Sequence, residues 1–216
     1  MTLTEEQVRR LGPADPTACV IVLHGGTDDP TKAVRPRRTW LPATMNSHWI
    51  QNGVDRTLRE EGVATWALAH RLAGWDDDAD PTPVREAAET VQQARRMYGE
   101  GVRIVLVGIS MGGRTAVRVA DMDGVVGVVG LVPWLPEEEP TYTLSGKHLR
   151  VGYAGLDRTC PLSSMTGFVG RARTDAATVE ITEVGPDVHE MVLPRVWQPF
   201  TARSVRAILQ LGSDTH

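Results

Sequence analysis

The stretch Val102–Gly113, VRIVLVGISMGG, constrains the fold more than any other part of the chain. Its apolar run is continuous rather than alternating, which predicts a strand buried on both faces, as central parallel strands are. The run stops at Gly108, crosses Ser110 and continues into a helical segment carrying Arg114, Thr115, Ala116, Val117, Val119 and Ala120. Gly108, Ser110 and Gly112 spell G-x-S-x-G. A residue at the tip of so sharp a strand-to-helix turn is strained, and the positions two before and two after it must be small for the chain to close. The helix begins at the serine, so its amides and dipole face the place where negative charge develops in acyl transfer, with the N–H of Met111 as first oxyanion donor. Three fixed residues in five occur by chance in many chains. The flanking strand and helix are what give this instance weight.

Five further stretches read as strands: Ala18–Leu23, Val63–Ala69, Gly124–Val132, Leu149–Tyr153 and Thr178–Val184. Helical segments lie between and after them, over Trp40–Glu61, Val84–Tyr98, the turn helix, Met165–Arg173 and Val196–Leu211. Gly62 ends the first, and Pro83 and Gly99 bracket the second. Residues 1–17 show no strand signal and read as a polar extension, leaving 18–211 as one domain, a size suited to a single large core. Six strands alternating with helices predict an α/β chain: a three-layer α/β/α sandwich on a mainly parallel sheet. In such sheets ligands bind beyond the carboxyl ends of the strands. His24–Gly26, Arg71–Trp75, Ser110, Trp134, Asp157 and His189 all fall at such ends.

With a formal net charge of -4 and 41% hydrophobic residues, the chain has no charge-based case for nucleic acid. The start, MTLTEEQVRR, lacks the apolar core of a signal peptide, and no apolar run reaches the length of a membrane span. A cytoplasmic protein without membrane contact is expected, its oligomeric state open. Cys19 and Cys160 read as free thiols, and neither has metal-ligand spacing.

A serine hydroxyl needs a base to take its proton, and the base needs a carboxylate to hold its tautomer and stabilise its cation. In this architecture the order along the chain is serine, acid, histidine. Ser110, Asp157 and His189 supply it, each just past a different strand. His148 precedes its strand and His216 is terminal, which leaves His189 as base. Asp175 and Asp187 are alternatives for the acid, although Asp175 precedes a strand and Asp187 lies in the base's own loop. Gly25 and Gly26 let backbone approach a substrate oxygen, with the Gly26 N–H as second oxyanion donor and His24 bonded to backbone. Lys32, Arg35, Arg37 and Arg38 read as a solvated basic loop rather than an anion site. Trp75 and Trp134, and less directly Trp40, are candidates for an acyl or alcohol pocket.

His24–Gly25–Gly26, the turn Gly108–Ile109–Ser110–Met111–Gly112–Gly113, Asp157 and His189 together resemble the α/β-hydrolase superfamily, from about Ala18 to the C-terminus. The resemblance is to its small, lidless bacterial members, through Arg71–Leu72–Ala73–Gly74–Trp75 and Pro133–Trp134–Leu135–Pro136. It implies a serine hydrolase with no cofactor and no metal, cleaving a small-molecule ester or thioester through an acyl-Ser110 intermediate. A thioesterase or an acyltransferase would use the same residues, and a non-catalytic binding protein is the rival from outside enzymes. The N-terminus is too short for the antiparallel hairpin of many relatives. Where such proteins insert a cap, only PWLPEEEPTYTLSGKH separates Val132 from Leu149, so a shallow, open site is expected. Serine at the elbow departs from the aspartate of epoxide and haloalkane enzymes and from the cysteine of dienelactone enzymes.

Overall fold

A computed structural model describes residues 5–26, 42–72 and 74–211. Its strands are β1 (Val8–Leu11), β2 (Ala18–Leu23), β3 (Val63–Leu68), β4 (Arg103–Ile109), β5 (Val125–Leu131), β6 (His148–Ala154) and β7 (Thr178–Gly185). The helices are α1 (Pro42–Leu58), α2 (Thr82–Tyr98), α3 (Met111–Arg118), α4 (Leu162–Asp175) and α5 (Pro194–Leu211). The strands form one sheet in the order β1-β3-β2-β4-β5-β6-β7, with only β1 antiparallel to its neighbour.

The unbroken apolar runs follow from burial on both sides. In β2, Cys19, Ile21 and Leu23 pack with Ala87 and Val91 of α2, Val117 of α3 and Phe168 of α4. Ala18, Val20 and Val22 face the other way, onto Ile50 and Val54 of α1 and Trp197 and Val205 of α5. Successive strand side chains point to opposite faces, so two helix layers demand apolar residues at every position. Each fully buried branched or aromatic side chain stabilises the fold by about 1.5–3 kcal/mol. The result is the three-layer α/β/α sandwich that the alternation predicts.

The sheet holds seven strands rather than six, because the N-terminal stretch read as strandless contributes β1. Its sequence is Val-Arg-Arg-Leu, and the two arginines hide the pattern. Arg9 turns to the α1 side, where Nη1 donates to Gln51 Oε1 and Asn52 Oδ1, both at 2.9 Å. Arg10 turns to the α2 side, its guanidinium 4.6 Å from the Trp66 ring centroid and bonded to Gln93. Charged side chains of this kind suit an edge strand.

Between β5 and β6 the chain forms turns and a single three-residue 3-10 helix, Tyr142–Leu144, and no helical lid. Trp40 and the basic stretch 32–38 lie outside the described residues. Among the described residues no helix is long and apolar enough to cross a membrane.

Candidate active site

The strand order reverses between β2 and β4, and Leu23 of β2 pairs in register with Gly108 of β4. Both strands therefore stop side by side at the switch point, where open α/β sheets form their crevice. Ser110 stands at the tip with φ 50° and ψ -115°. Its N–H donates to Leu131 O at 3.0 Å, and its carbonyl accepts from Gly113 N at 2.9 Å and Trp134 N at 3.0 Å. The glycines make room for this geometry. A Cβ on Gly108 would stand 2.2 Å from Gly112 O, and one on Gly112 would stand 2.3 Å from Leu23 O.

Three of the residues singled out in the sequence meet in one line of hydrogen bonds. His189 Nε2 is 3.0 Å from Ser110 Oγ, and His189 Nδ1 is 2.9 Å from Asp157 Oδ2. A carboxylate against Nδ1 keeps the proton of a neutral ring there, which leaves the Nε2 lone pair facing the hydroxyl. The Asp157 side chain is 1% exposed and that of His189 17%. The other Asp157 oxygen accepts from Thr159 N at 2.8 Å and Cys160 N at 2.9 Å, so the buried carboxylate has partners on both oxygens.

Asp187 does not reach the His189 ring. Its carboxylate is taken up by Val188 N, Leu193 N and Trp197 Nε1. Asp175 accepts from Thr141 Oγ1 at the far end of α4.

On the β2 side, a Cβ built on Gly25 would lie 3.4 Å from Ser110 Cβ. The His24 ring is bonded to backbone, with Nδ1 2.5 Å from Gly25 O and Nε2 accepting the His70 N–H at 2.9 Å. Burial, reinforced by the neighbouring His70, lowers the His24 pKa to about 3, so this ring is neutral at physiological pH and Nδ1 is its donor. The Gly25–Gly26 peptide is trans, because the described chain has no cis bonds, and pinning the Gly25 carbonyl turns the Gly26 N–H to the opposite side.

Trp75 and Trp134 stand edge to face, 6.2 Å between centroids. Arg114 of α3, four residues after Ser110, places its guanidinium 4.0 Å from the Trp75 centroid and 4.6 Å from that of Trp134. Buried Glu139 accepts from both Arg114 and Arg118. The sequence pattern marks Arg114 only as part of the helix after Ser110 and gives Glu139 no role. The i,i+4 spacing from Ser110 would have placed Arg114 on the elbow's own face of the helix. Cys160 was also missed as a neighbour of the site: burial and Asp157 push its thiol up to about 11, against the effect of a hydrogen bond to Ser110.

A cleft of about 560 Å³ runs along His189, lined by residues 155–159 and 188–190. The two tryptophans are not among its lining residues.

Comparison with known proteins agrees with this architecture. The model of the alpha/beta hydrolase family matches residues 20–215. A search of curated protein sequences gives no match. Among solved structures, the ferulic-acid complex of Est1E from Butyrivibrio proteoclasticus is similar at TM-score 0.67 and 14% identity, covering 94% of this chain and 95% of that one. The propionate complex of the thermophilic esterase Est2 from Thermogutta terrifontis has TM-score 0.67 and 14% identity, covering 95% of this chain and 89% of that one. An alpha-beta serine hydrolase homologue from Coxiella burnetii has TM-score 0.64 and 16% identity, covering 91% and 89%.

Proposed function

Because the chain belongs to the alpha/beta hydrolase family, we propose that it is a serine hydrolase that cleaves a carboxylic ester through an acyl-Ser110 intermediate. The observation that carries the reading is the hydrogen-bonded line from Asp157 through His189 to Ser110. In the first half-reaction Ser110 Oγ attacks the ester carbonyl carbon while its proton passes to His189 Nε2. Asp157 stabilises the imidazolium. The carbonyl oxygen, now negative, accepts from the N–H groups of Met111 and Gly26, the second aimed by the His24–Gly25 bond. Collapse breaks the bond to the alcohol oxygen, which leaves with the proton from Nε2. Water then adds to the acyl carbon, His189 takes its proton, and the acid departs as Ser110 recovers its hydrogen.

The leaving group must lie where His189 can protonate it, which assigns it to the cleft along residues 155–159 and 188–190. The acyl group then lies on the side of Trp75 and Trp134. Est2, an esterase with the same fold, supports the ester class. Thioester hydrolysis and acyl transfer would use the same residues with another leaving group or acceptor.

A fluorophosphonate probe tests the reading. We expect one label per chain, mapped to Ser110, and none on Ser110→Ala, whose kcat/KM on an activated ester falls by about 10³-fold or more. A panel of p-nitrophenyl esters and acyl thioesters, with and without added alcohol, ranks the substrate classes. Wild-type turnover by the alanine variant would refute it.

A further inference from the structure

Asp187, two residues before His189, is a buried carboxylate that the acyl-transfer steps leave unused. It is 1% exposed. One oxygen accepts from Val188 N at 2.8 Å, and the other from Leu193 N at 3.0 Å and Trp197 Nε1 at 2.7 Å. We infer that Asp187 is a positioning residue, locking the loop that carries His189 to helix α5 and to the loop that carries Asp157. The inference rests on the proposed reading of Ser110, His189 and Asp157.

The donors bracket the base: Val188 precedes His189, and Leu193 closes the loop four residues later. Between them Met191 adopts φ 53°, a left-handed conformation that a side chain of this kind enters at a cost. Such a conformation persists only where its surroundings over-determine it. Met191 N donates to Val188 O at 3.1 Å, and Asn46 Nδ2 of α1 donates to Glu190 O at 2.9 Å. Trp197 anchors the other end, since it is fully buried and packs edge to face on Phe200. The main chain at Asp187 and Gly185 reaches the loop that carries the acid. Asp187 O accepts Leu156 N, and Gly185 O accepts Gly155 N, both at 3.0 Å. One residue therefore sets the base's loop against the acid's loop and both against α5.

The three hydrogen-bond partners of the side chain are all N–H donors, so a carboxylate satisfies them all. An amide presents its NH₂ either to Leu193 and Trp197 or, flipped, to Val188, and a donor then faces a donor.

The test compares Asp187→Asn and Trp197→Phe with the full wild-type chain, by steady-state kinetics on an activated ester and by the rate and end point of fluorophosphonate labelling. Asp187→Asn should lower kcat about 10- to 100-fold with KM within twofold, because a displaced base costs rate rather than ground-state binding. Labelling of Ser110 should slow by a similar factor and still reach one per chain. Trp197→Phe keeps an aromatic ring, although a smaller one, and removes one donor of three, so its loss should be smaller and of the same kind. Wild-type labelling rate and kcat in the folded variants, or a loss confined to KM, would overturn the inference. Should Asp187→Asn fail to fold, Trp197→Phe decides alone. A wild-type chain that takes no label would instead overturn the reading beneath it.

Discussion

At Ser110, φ 50° is paired with a hydroxyl 3.0 Å from His189 Nε2. Among the described residues the other non-glycine positive-φ positions are Val132 and Met191, the first directly after β5 and the second in the base's loop. Such conformations cost on the order of 1–3 kcal/mol each and collect at functional sites. Ser110, Asp157 and His189 can be picked out because each follows a stretch whose strand character and end are visible in the sequence. The separate task of Asp187 could not be seen, since its partners are two backbone amides and an indole ten residues away. For Asp157, replacement by Asn retains the shape but favours the proton on Nε2, the wrong tautomer for accepting from Ser110. Asp157→Asn should therefore fold and lose several orders of magnitude in kcat. Circular dichroism and kinetics on the same preparation check this. Near-normal activity would remove Asp157 from the proposed acid role.

The elements divide by how their burial is achieved. β2, β3 and β4 are legible because both faces are covered and, Arg103 at the start of β4 apart, every residue is apolar or small. β1 is not, because its arginines are satisfied by Gln51, Asn52, Gln93 and the Trp66 ring, groups far away in sequence. Helix α2 hides a comparable case. Glu86 reads as part of a polar face, yet its side chain is fully buried and accepts from His70 Nδ1, Arg71 N and Arg71 Nε, and from Gln7 Nε2. Burial opposes its ionisation, but the hydrogen bond and charge of His70 and the hydrogen bonds from Arg71 outweigh that effect and hold its carboxyl below the usual carboxylate range. A depressed native pKa gives stability that is present above the unfolded value, near pH ~4.3, and is lost as pH falls through the native one. Glu86→Gln should accordingly cost about 1–3 kcal/mol near neutral pH, and the gap from wild type should close in acid. Denaturant melts at pH 7 and at pH values below ~4 give the comparison. An equal gap at both would show that the charge of Glu86 adds nothing.

Over the whole molecule, the sandwich brings residues 79 positions apart to hydrogen-bond distance at one rim. That convergence is legible in the sequence because strand ends in a parallel sheet share one edge. Distances, the Arg114 wedge between two tryptophans and the cleft beside His189 were not legible, since they depend on how loops settle on the sheet. In the proposed mechanism Ser110, His189 and Asp157 act as one unit. The most direct test of that claim is kcat/KM for Ser110→Ala, His189→Ala and the double variant on one activated ester. Either single substitution should cost about as much as the two together, because removing any part of a working unit disables the rest. Losses that multiply in the double variant would contradict the claim.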